Sequence, residues 1–230
     1  MKLLATLLLF LVCTLPAVAG LTPTQKKAEK ATHRISEKSI AGKAACSATS
    51  VGPHALLTAS HCEIPTWTIY VDGTAATIDG LTRDDFDHTI YVLKDITFDD
   101  YVAIDTTPFA VGDDVFMFGN PGQLTGLFRK GYVTSYRLPS LSEALSAALS
   151  GAELPPPVVF FDFTGWHGDS GAAVFNSKGA VQGVVSFSFT QSISGEPLDA
   201  MRLMGGYPLA FSPAAIKQAR EYKPATPANK

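Results

Sequence analysis

The stretch GWHGDSGAAVF, Gly165 to Phe175, contains the serine that decides how this 230-residue sequence is interpreted. Ser170 follows Asp169 and lies between Gly168 and Gly171, which let the backbone bend tightly and leave a hydroxyl uncovered. In such a bend the backbone N–H groups of Gly168 and Ser170 can converge on one point, as an oxyanion hole requires. A plain turn between two strands is the alternative, because glycine, aspartate and serine are common turn residues.

A serine hydroxyl needs an adjacent base to act as a nucleophile, and one of the five histidines is placed to supply it. His61 lies near the end of LLTASHC, Leu56 to Cys62, where a buried strand is followed by two small residues. The other histidines lie in a polar segment, a Gly–Pro turn, a strand and the glycine turn: His33, His54, His88 and His167. The sequence therefore predicts His61 as the base.

The first 19 residues have the pattern of a secretory signal peptide. Lys2 precedes the apolar run LLATLLLFLV, and Ala17–Val18–Ala19 is a small-residue cleavage site. We therefore predict a secreted or periplasmic protein that begins at Gly20 and makes no stable membrane insertion. An uncleaved anchor is the alternative.

Cleavage would leave Cys46 and Cys62 and remove Cys13. An even pair of cysteines in an oxidising compartment predicts a disulfide. Zinc binding together with His54 and His61 is the alternative, but the spacing fits no zinc-finger pattern. No metal and no other cofactor is therefore predicted.

The charge balance argues against a nucleic-acid partner. The chain has 18 basic and 21 acidic residues. Loss of Lys2 with the signal peptide leaves 17 against 21, a net charge of −4. Such a balance gives no basic patch for nucleic acid or an anionic membrane.

Short strands separated by turns dominate the sequence and predict an all-β fold. Residues 20–39 are polar and are predicted to form a loose N-terminal arm or short helix, and 223–230 a disordered tail. Asp–Gly pairs at 72–73 and 79–80 are predicted turns. Two helices are expected, one over 141–149 within an insertion at 138–157, and one over 213–222 after the N-cap Ser212.

The motifs SATSVGPHALLTASHC and GDSGAAVFNSKGAVQGVVSFS together resemble the trypsin-like serine proteases of chymotrypsin fold. The stretch VGDDVFMFGNPGQLTGLFRKGYVTSYR is similar to the bacterial HtrA-type branch and its viral and phage relatives, here without a PDZ domain. The resemblance implies a domain at 40–222 made of two six-stranded antiparallel β-barrels with the site in the cleft between them. The N-barrel is expected at about 40–105, the C-barrel at about 106–211, and a C-terminal helix follows.

The same resemblance implies the roles of the site residues. His61 matches the general base and Ser170 the nucleophile, with Gly168 and Ser170 as oxyanion donors. Cys46 and Cys62 match the disulfide that holds the turn of the base. Ser186 matches the serine that supports the triad aspartate and begins the substrate-binding strand.

The acid of the triad has more than one candidate in the sequence. Asp87 begins the stretch Asp–His–Thr–Ile, which fits the family pattern of aspartate, any residue, small residue and apolar residue. Asp84 and Asp85 are nearby competitors, and RDDFD also fits a solvated acidic turn. Asp87 is the predicted acid and Asp85 the main alternative.

The resemblance also bears on activation and specificity. The chain has no Ile–Val–Gly–Gly start, so we expect no trypsin-style activation, and Asp169 would need a partner other than a new N-terminus. Thr164, six residues before Ser170, matches the base of the primary pocket, and Ser188 stands where a glycine often opens that pocket. These uncharged residues favour a small or medium uncharged side chain in the substrate.

The sequence therefore favours a secreted serine endopeptidase whose partner is a peptide or protein substrate, with a monomer favoured. A catalytically silent homologue that binds a partner is the first alternative. The second alternative is a β-barrel binding module held by a disulfide. Under this hypothesis the order of His, Asp and Ser along the chain is a coincidence.

Overall fold

The structure is a computed structural model. It describes residues 20–37, 45–64, 66–122, 124–152, 154, 156–192 and 200–225. The predicted signal peptide, residues 1–19, and the last five residues of the predicted tail lie outside the described residues.

The described strands form two closed six-stranded antiparallel barrels, which confirms the predicted fold class. The N-barrel has the order β1-β2-β3-β6-β5-β4. Its strands are β1 (Thr32–Ser36), β2 (Ala45–Gly52), β3 (Ala55–Ala59), β4 (Thr68–Val71), β5 (Thr74–Arg83) and β6 (His88–Leu93).

The C-barrel repeats this closure with the order β10-β11-β12-β9-β8-β7. Its strands are β7 (Asp114–Gly119), β8 (Leu127–Arg137), β9 (Val158–Phe161), β10 (Ala173–Asn176), β11 (Val181–Ser192) and β12 (Ala200–Pro208). Three helices, α1 (Pro23–Lys30), α2 (Leu141–Ser150) and α3 (Pro213–Glu221), complete the described chain.

A continuous apolar core joins the two barrels. β3 is buried along its whole length, and its Leu56 and Leu57 have no exposed surface. The same cluster of buried side chains reaches Phe116 and Phe175 of the C-barrel, whose rings stack with centroids 5.1 Å apart. Burial of this apolar surface is the main force that holds the barrels together.

The N-barrel begins earlier than the sequence predicted. Residues 20–39 were predicted to lie outside the barrel, but Thr32–Ser36 is its first strand and pairs with both β2 and β4. Within this strand Ile35 is buried, while His33 binds Asp72 at 2.7 Å and stacks on Phe98. A strand that buries one side chain among polar neighbours has the composition of a loop, so the boundary at residue 40 is wrong. Of the two forms predicted for the segment before it, the short helix is present as α1 (Pro23–Lys30).

One of the two predicted Asp–Gly turns is confirmed. Asp72 and Gly73 have φ values of 50° and 83° and join β4 to β5 as a two-residue hairpin turn. Asp79–Gly80 instead lies within β5, where the pairing with β6 shifts register between Ile78 and Gly80. An Asp–Gly pair therefore marks a β-bulge at this second position.

Both helices predicted after residue 40 are present. Ser140 caps α2, and its hydroxyl accepts a hydrogen bond from the backbone of Glu143 at 3.3 Å. Ser212 caps α3 in the same way, through the N–H of Ala215 at 3.2 Å. In the described part of the chain, no helix is both long and apolar enough to cross a bilayer.

Candidate active site

The turn that carries His61 is fixed at the end of β3 by a disulfide. β3 stops at Ala59, and Ser60–Cys62 forms a single 3₁₀ turn. Cys62 is bonded to Cys46 of β2, which confirms the predicted disulfide. Because both sulfurs are used in this bond, the zinc alternative for these cysteines does not hold.

Asp87 is the aspartate that contacts His61. The Nδ1 atom of His61 lies 2.6 Å from Asp87 Oδ2, and the backbone N–H of His61 donates to Asp87 Oδ1 at 2.9 Å. A third bond runs from the N–H of Ser60 to the carbonyl of Asp87 at 3.0 Å. Of the two competing aspartates, Asp85 is exposed and Asp84 is bonded to His88 instead.

These contacts change the acidity of both partners. The hydrogen bond that His61 donates to Asp87 raises the pKa of His61 above 6.5, against the opposing effect of burial. Burial acts to raise the pKa of Asp87, but the hydrogen bonds from His61 and from the Ser186 hydroxyl outweigh it, so this pKa lies below 3.8. The pair is therefore arranged to stabilise a protonated imidazole.

The turn that carries Ser170 belongs to the C-barrel but packs on the N-barrel. Ser47 of β2 donates its backbone N–H to the Ser170 carbonyl at 2.7 Å. Gly171 has a φ of 82°, and a Cβ atom there would lie 2.3 Å from Thr58 Oγ1. Only glycine fits this contact, which brings the serine turn against the strand that ends beside His61.

The carbonyls of His167 and Gly168 are both held in place by hydrogen bonds. The His167 carbonyl accepts from the N–H of Gly122 at 2.8 Å, and the Gly168 carbonyl accepts from the Ser47 hydroxyl at 2.8 Å. Because N–H and C=O point in opposite directions in a trans peptide, the Gly168 N–H faces away from Gly122. Among the described residues, no backbone hydrogen bond uses the N–H of Gly168 or Ser170.

The structure gives no direct hydrogen bond between His61 and Ser170 among the described residues. In free enzymes the bond between nucleophile and base is often long and tightens when substrate binds. The predicted base and the predicted acid are in contact, and the predicted nucleophile lies on an adjoining turn.

Asp169 has a partner that the sequence did not reveal. Its carboxylate is fully buried, and Oδ1 lies 3.0 Å from the guanidinium of Arg129 in β8. Oδ2 accepts from the N–H of Trp166 at 2.8 Å. A Cβ atom at Gly119 would lie 2.1 Å from Asp169 Oδ1, so this glycine makes room for the ion pair.

Ser47 and Asn120 form a second contact that the sequence did not reveal. Both side chains are buried, and the Asn120 side chain donates to Ser47 Oγ at 3.1 Å and to the His33 carbonyl at 3.0 Å. The backbone N–H of Asn120 also donates to Ser47 Oγ, at 2.9 Å. Asn120 directly follows β7, in the short segment Gly–Asn–Pro–Gly.

A cavity of about 430 Å³ opens beside Ser170. Its lining contains no Asp, Glu, Lys or Arg side chain, and it consists of Gly165, Trp166, His167, Ser170, Val185, Ser186, Phe187, Ser188 and Met204.

Two of the three predicted substrate-binding residues, Ser186 and Ser188, line this cavity. Thr164 is exposed and is not among the residues that line this cavity, so its place at the base of the primary pocket stays a prediction. Met204 packs on Gly165, where a Cβ atom would lie 1.7 Å from its sulfur.

Comparisons with known proteins agree with this geometry. A family model described as "Trypsin-like peptidase domain" matches residues 46–184. No curated protein sequence matches the chain significantly.

Solved structures share the fold at low sequence identity. Rv3671c of Mycobacterium tuberculosis H37Rv, an inactive serine-to-alanine mutant, is 16% identical with a TM-score of 0.60, and the match covers 92% of this chain and 96% of that one. The serine endoprotease of Yersinia pestis is 18% identical with a TM-score of 0.56, and the match covers 83% of this chain and 63% of that one. At these identities the likeness shows the two-barrel fold alone.

Proposed function

The chain belongs to the family of trypsin-like peptidase domains, and on that premise we propose that it is a secreted serine endopeptidase. The observation that carries the proposal is the 2.6 Å contact between His61 Nδ1 and Asp87 Oδ2. It lies beside a serine turn whose oxyanion donors make no backbone hydrogen bond within the described chain.

In this proposal Ser170 is the nucleophile and His61 the general base. Ser170 Oγ attacks the scissile carbonyl while its proton passes to Nε2 of His61. Asp87 keeps the Nδ1 proton in place and stabilises the imidazolium that forms. His61 then returns the proton to the leaving amine as the C–N bond breaks, which leaves an acyl group on Ser170.

The second half of the reaction repeats these steps with water. His61 takes a proton from the water as its oxygen attacks the acyl carbonyl, and the Ser170 oxygen leaves with that proton. In both halves the N–H groups of Gly168 and Ser170 stabilise the negative oxygen. Each such donor contributes about 3–4 kcal/mol to the lowering of the barrier.

The Arg129–Asp169 ion pair supports a site that forms without cleavage of the chain. Asp169 directly precedes the nucleophile, and its buried carboxylate is neutralised by a side chain of the same barrel. We therefore propose that Arg129 does here what a newly released N-terminus does in zymogen-activated members of the family.

The lining of the cavity supports a substrate with an uncharged side chain at the cleavage position. Val185, Phe187 and Met204 give the cavity apolar walls, and Ser188 adds a hydroxyl. A charged side chain placed there would lose its hydration without gaining an ionic partner.

The disulfide supports a location outside the cytoplasm, since such bonds persist in oxidising compartments. Secretion through the predicted signal peptide is part of the same proposal.

The test is to incubate the purified protein with a peptide library and to identify new termini by mass spectrometry. The wild type should cut at bonds that follow uncharged residues, and Ser170→Ala should abolish cleavage. Ser177→Ala is the matched control, because Ser177 is exposed in a distant turn, and it should cleave like the wild type. Peptides that bind but are never cut would favour the alternative, a catalytically silent homologue that acts as a binding module.

A further inference from the structure

A fully buried aspartate–histidine pair joins the two ends of the loop that carries Asp87. The loop joins β5 to β6, and its ends are Asp84 and His88. Both side chains have no exposed surface, and Asp84 Oδ2 lies 2.6 Å from His88 Nδ1. The backbone also closes the loop, because the N–H of Asp84 donates to the His88 carbonyl at 3.2 Å.

The Asp84 carboxylate organises the loop from within. Its Oδ1 atom accepts the N–H of Phe86 at 3.0 Å, one residue before Asp87. Its Oδ2 atom accepts the N–H of Ala210 at 3.0 Å, in the segment that follows β12 of the C-barrel. One buried carboxylate thus joins the Asp87 loop to the barrel that carries Ser170.

The ring of His88 has a single polar contact among the described residues, the one to Asp84. Its Nε2 atom is buried and has no hydrogen-bond partner among the described residues. Its ring packs against Tyr207 and Phe211, with centroids 6.4 and 6.3 Å away. A buried nitrogen without a partner is costly, so an apolar residue would suit these surroundings better unless the Nδ1 contact is needed.

We propose that the Asp84–His88 pair is a positioning device for Asp87, which holds its carboxylate on His61. His88 Nδ1 fixes the Asp84 carboxylate, Asp84 fixes the loop, and the loop presents Asp87 to the backbone and ring of His61. The proposal rests on the proposed function, because the position of Asp87 matters to the reaction only if His61 acts as its base.

The titratable groups near His61 show which contacts could change its pKa. Asp87 is the group that raises the pKa of His61. Burial raises the pKa of the Tyr207 phenol in β12, and the nearby charge of Asp87 raises it further. Loss of the Asp84–His88 contact would therefore change the pKa of His61 by changing the distance between His61 and Asp87.

The test is an NMR titration of the His61 ring in purified protein labelled with ¹⁵N-histidine. In the wild type the pKa of His61 should lie above 6.5, and a proton on Nδ1 should resonate far downfield. His88→Leu keeps the bulk of the ring but removes the donor, so this pKa should fall towards 6.5 and the downfield proton should vanish. His88→Asn restores an N–H close to the position of Nδ1 and should return both signals.

A second readout is the rate at which a fluorophosphonate labels Ser170. His88→Leu should slow labelling by about 10- to 100-fold, the cost of a displacement of about 1 Å in a catalytic group, and KM for a cleaved peptide should stay unchanged. Asp85→Asn is the matched control, because Asp85 is exposed in the same loop, and it should behave like the wild type.

The outcomes separate this proposal from the proposed function. A wild type that is never labelled, but whose His61 pKa falls in His88→Leu, would refute the peptidase function and support the positioning role. A folded His88→Leu with the wild-type His61 pKa and labelling rate would overturn the positioning role. If His88→Leu does not fold, Asp84→Leu removes the same contact from the other side, and an unchanged His61 pKa in that variant would overturn the proposal equally.

Discussion

Replacement of Arg129 by methionine should both destabilise the fold and slow the reaction of Ser170. The Arg129 side chain is 12% exposed and the Asp169 side chain has no exposed surface, so the ion pair between them is screened very little by solvent. Methionine keeps most of the side-chain bulk but removes the positive charge. Asp169 would keep its bond from Trp166 and lose its only ionic partner among the described residues.

The expected cost follows from this burial. Removal of one partner from a buried ion pair typically costs about 3–5 kcal/mol, because the other charge is left uncompensated. Lys130→Met is a control on the same strand, since Lys130 lies 3.9 Å from Asp114 with both side chains more than half exposed. Such surface pairs contribute about 0–1 kcal/mol.

Urea denaturation gives the free energy of unfolding for each variant, and fluorophosphonate labelling gives the reactivity of Ser170. Asp169→Asn combined with Arg129→Met should recover part of the lost stability, since no buried charge then remains unpaired. The labelling rate of Arg129→Met should fall, because Asp169 directly precedes the nucleophile. If Arg129→Met loses less than about 1 kcal/mol and is labelled at the wild-type rate, the assigned role of this ion pair is wrong.

Three other perturbations test separate parts of the site. The activity of the wild type should fall as the pH drops below the raised pKa of His61. Asp87→Asn should move this acid limb of the pH–rate profile to lower pH and reduce kcat by about 10⁴-fold. An acid limb that does not move would argue against the His61–Asp87 pair. Replacement of Cys46 and Cys62 by serine opens a loop of sequence separation 16 and should lower the free energy of unfolding by about 3 kcal/mol. Calorimetry would record this as a loss of roughly 6–12 °C in Tm, and an unchanged Tm would contradict the stabilising role of the disulfide. Met204→Ala should raise kcat/KM for a peptide with a large apolar side chain by about 10-fold relative to one with a small side chain, and equal effects on both would place Met204 outside the substrate pocket.

The parts of the site that could be predicted from the sequence are those in which neighbours along the chain determine the geometry. His61 follows a buried strand and two small residues, and Ser170 stands between glycines that both adopt positive φ. Cys62 adjoins His61, so its disulfide could be predicted with the turn. Each of these signals lies within a few residues of the group that it positions.

The contacts that sequence reasoning missed join residues far apart in the chain. Arg129 and Asp169 are 40 residues apart, Ser47 and Gly168 are 121, and the bond from Ala210 to Asp84 spans 126. Each pairing arises from barrel closure and from docking of one barrel on the other. A single arginine on a strand or a serine after a cysteine carries no local sign of its partner.

β1 shows the same limit for the fold itself. Thr32–Ser36 buries Ile35 alone, so the strand is stabilised by its pairing with β2 and β4 rather than by an apolar pattern of its own. Backbone pairing of this kind depends on strands that lie later in the chain. The start of the N-barrel was therefore predicted too late.

Mapping the fluorophosphonate adduct by tandem mass spectrometry tests the central claim most directly. One adduct per molecule is expected, on the peptide that contains Ser170, and its formation should be lost in Ser170→Ala and slowed strongly in His61→Ala. An adduct on another serine, or none on folded wild-type protein, would contradict the account.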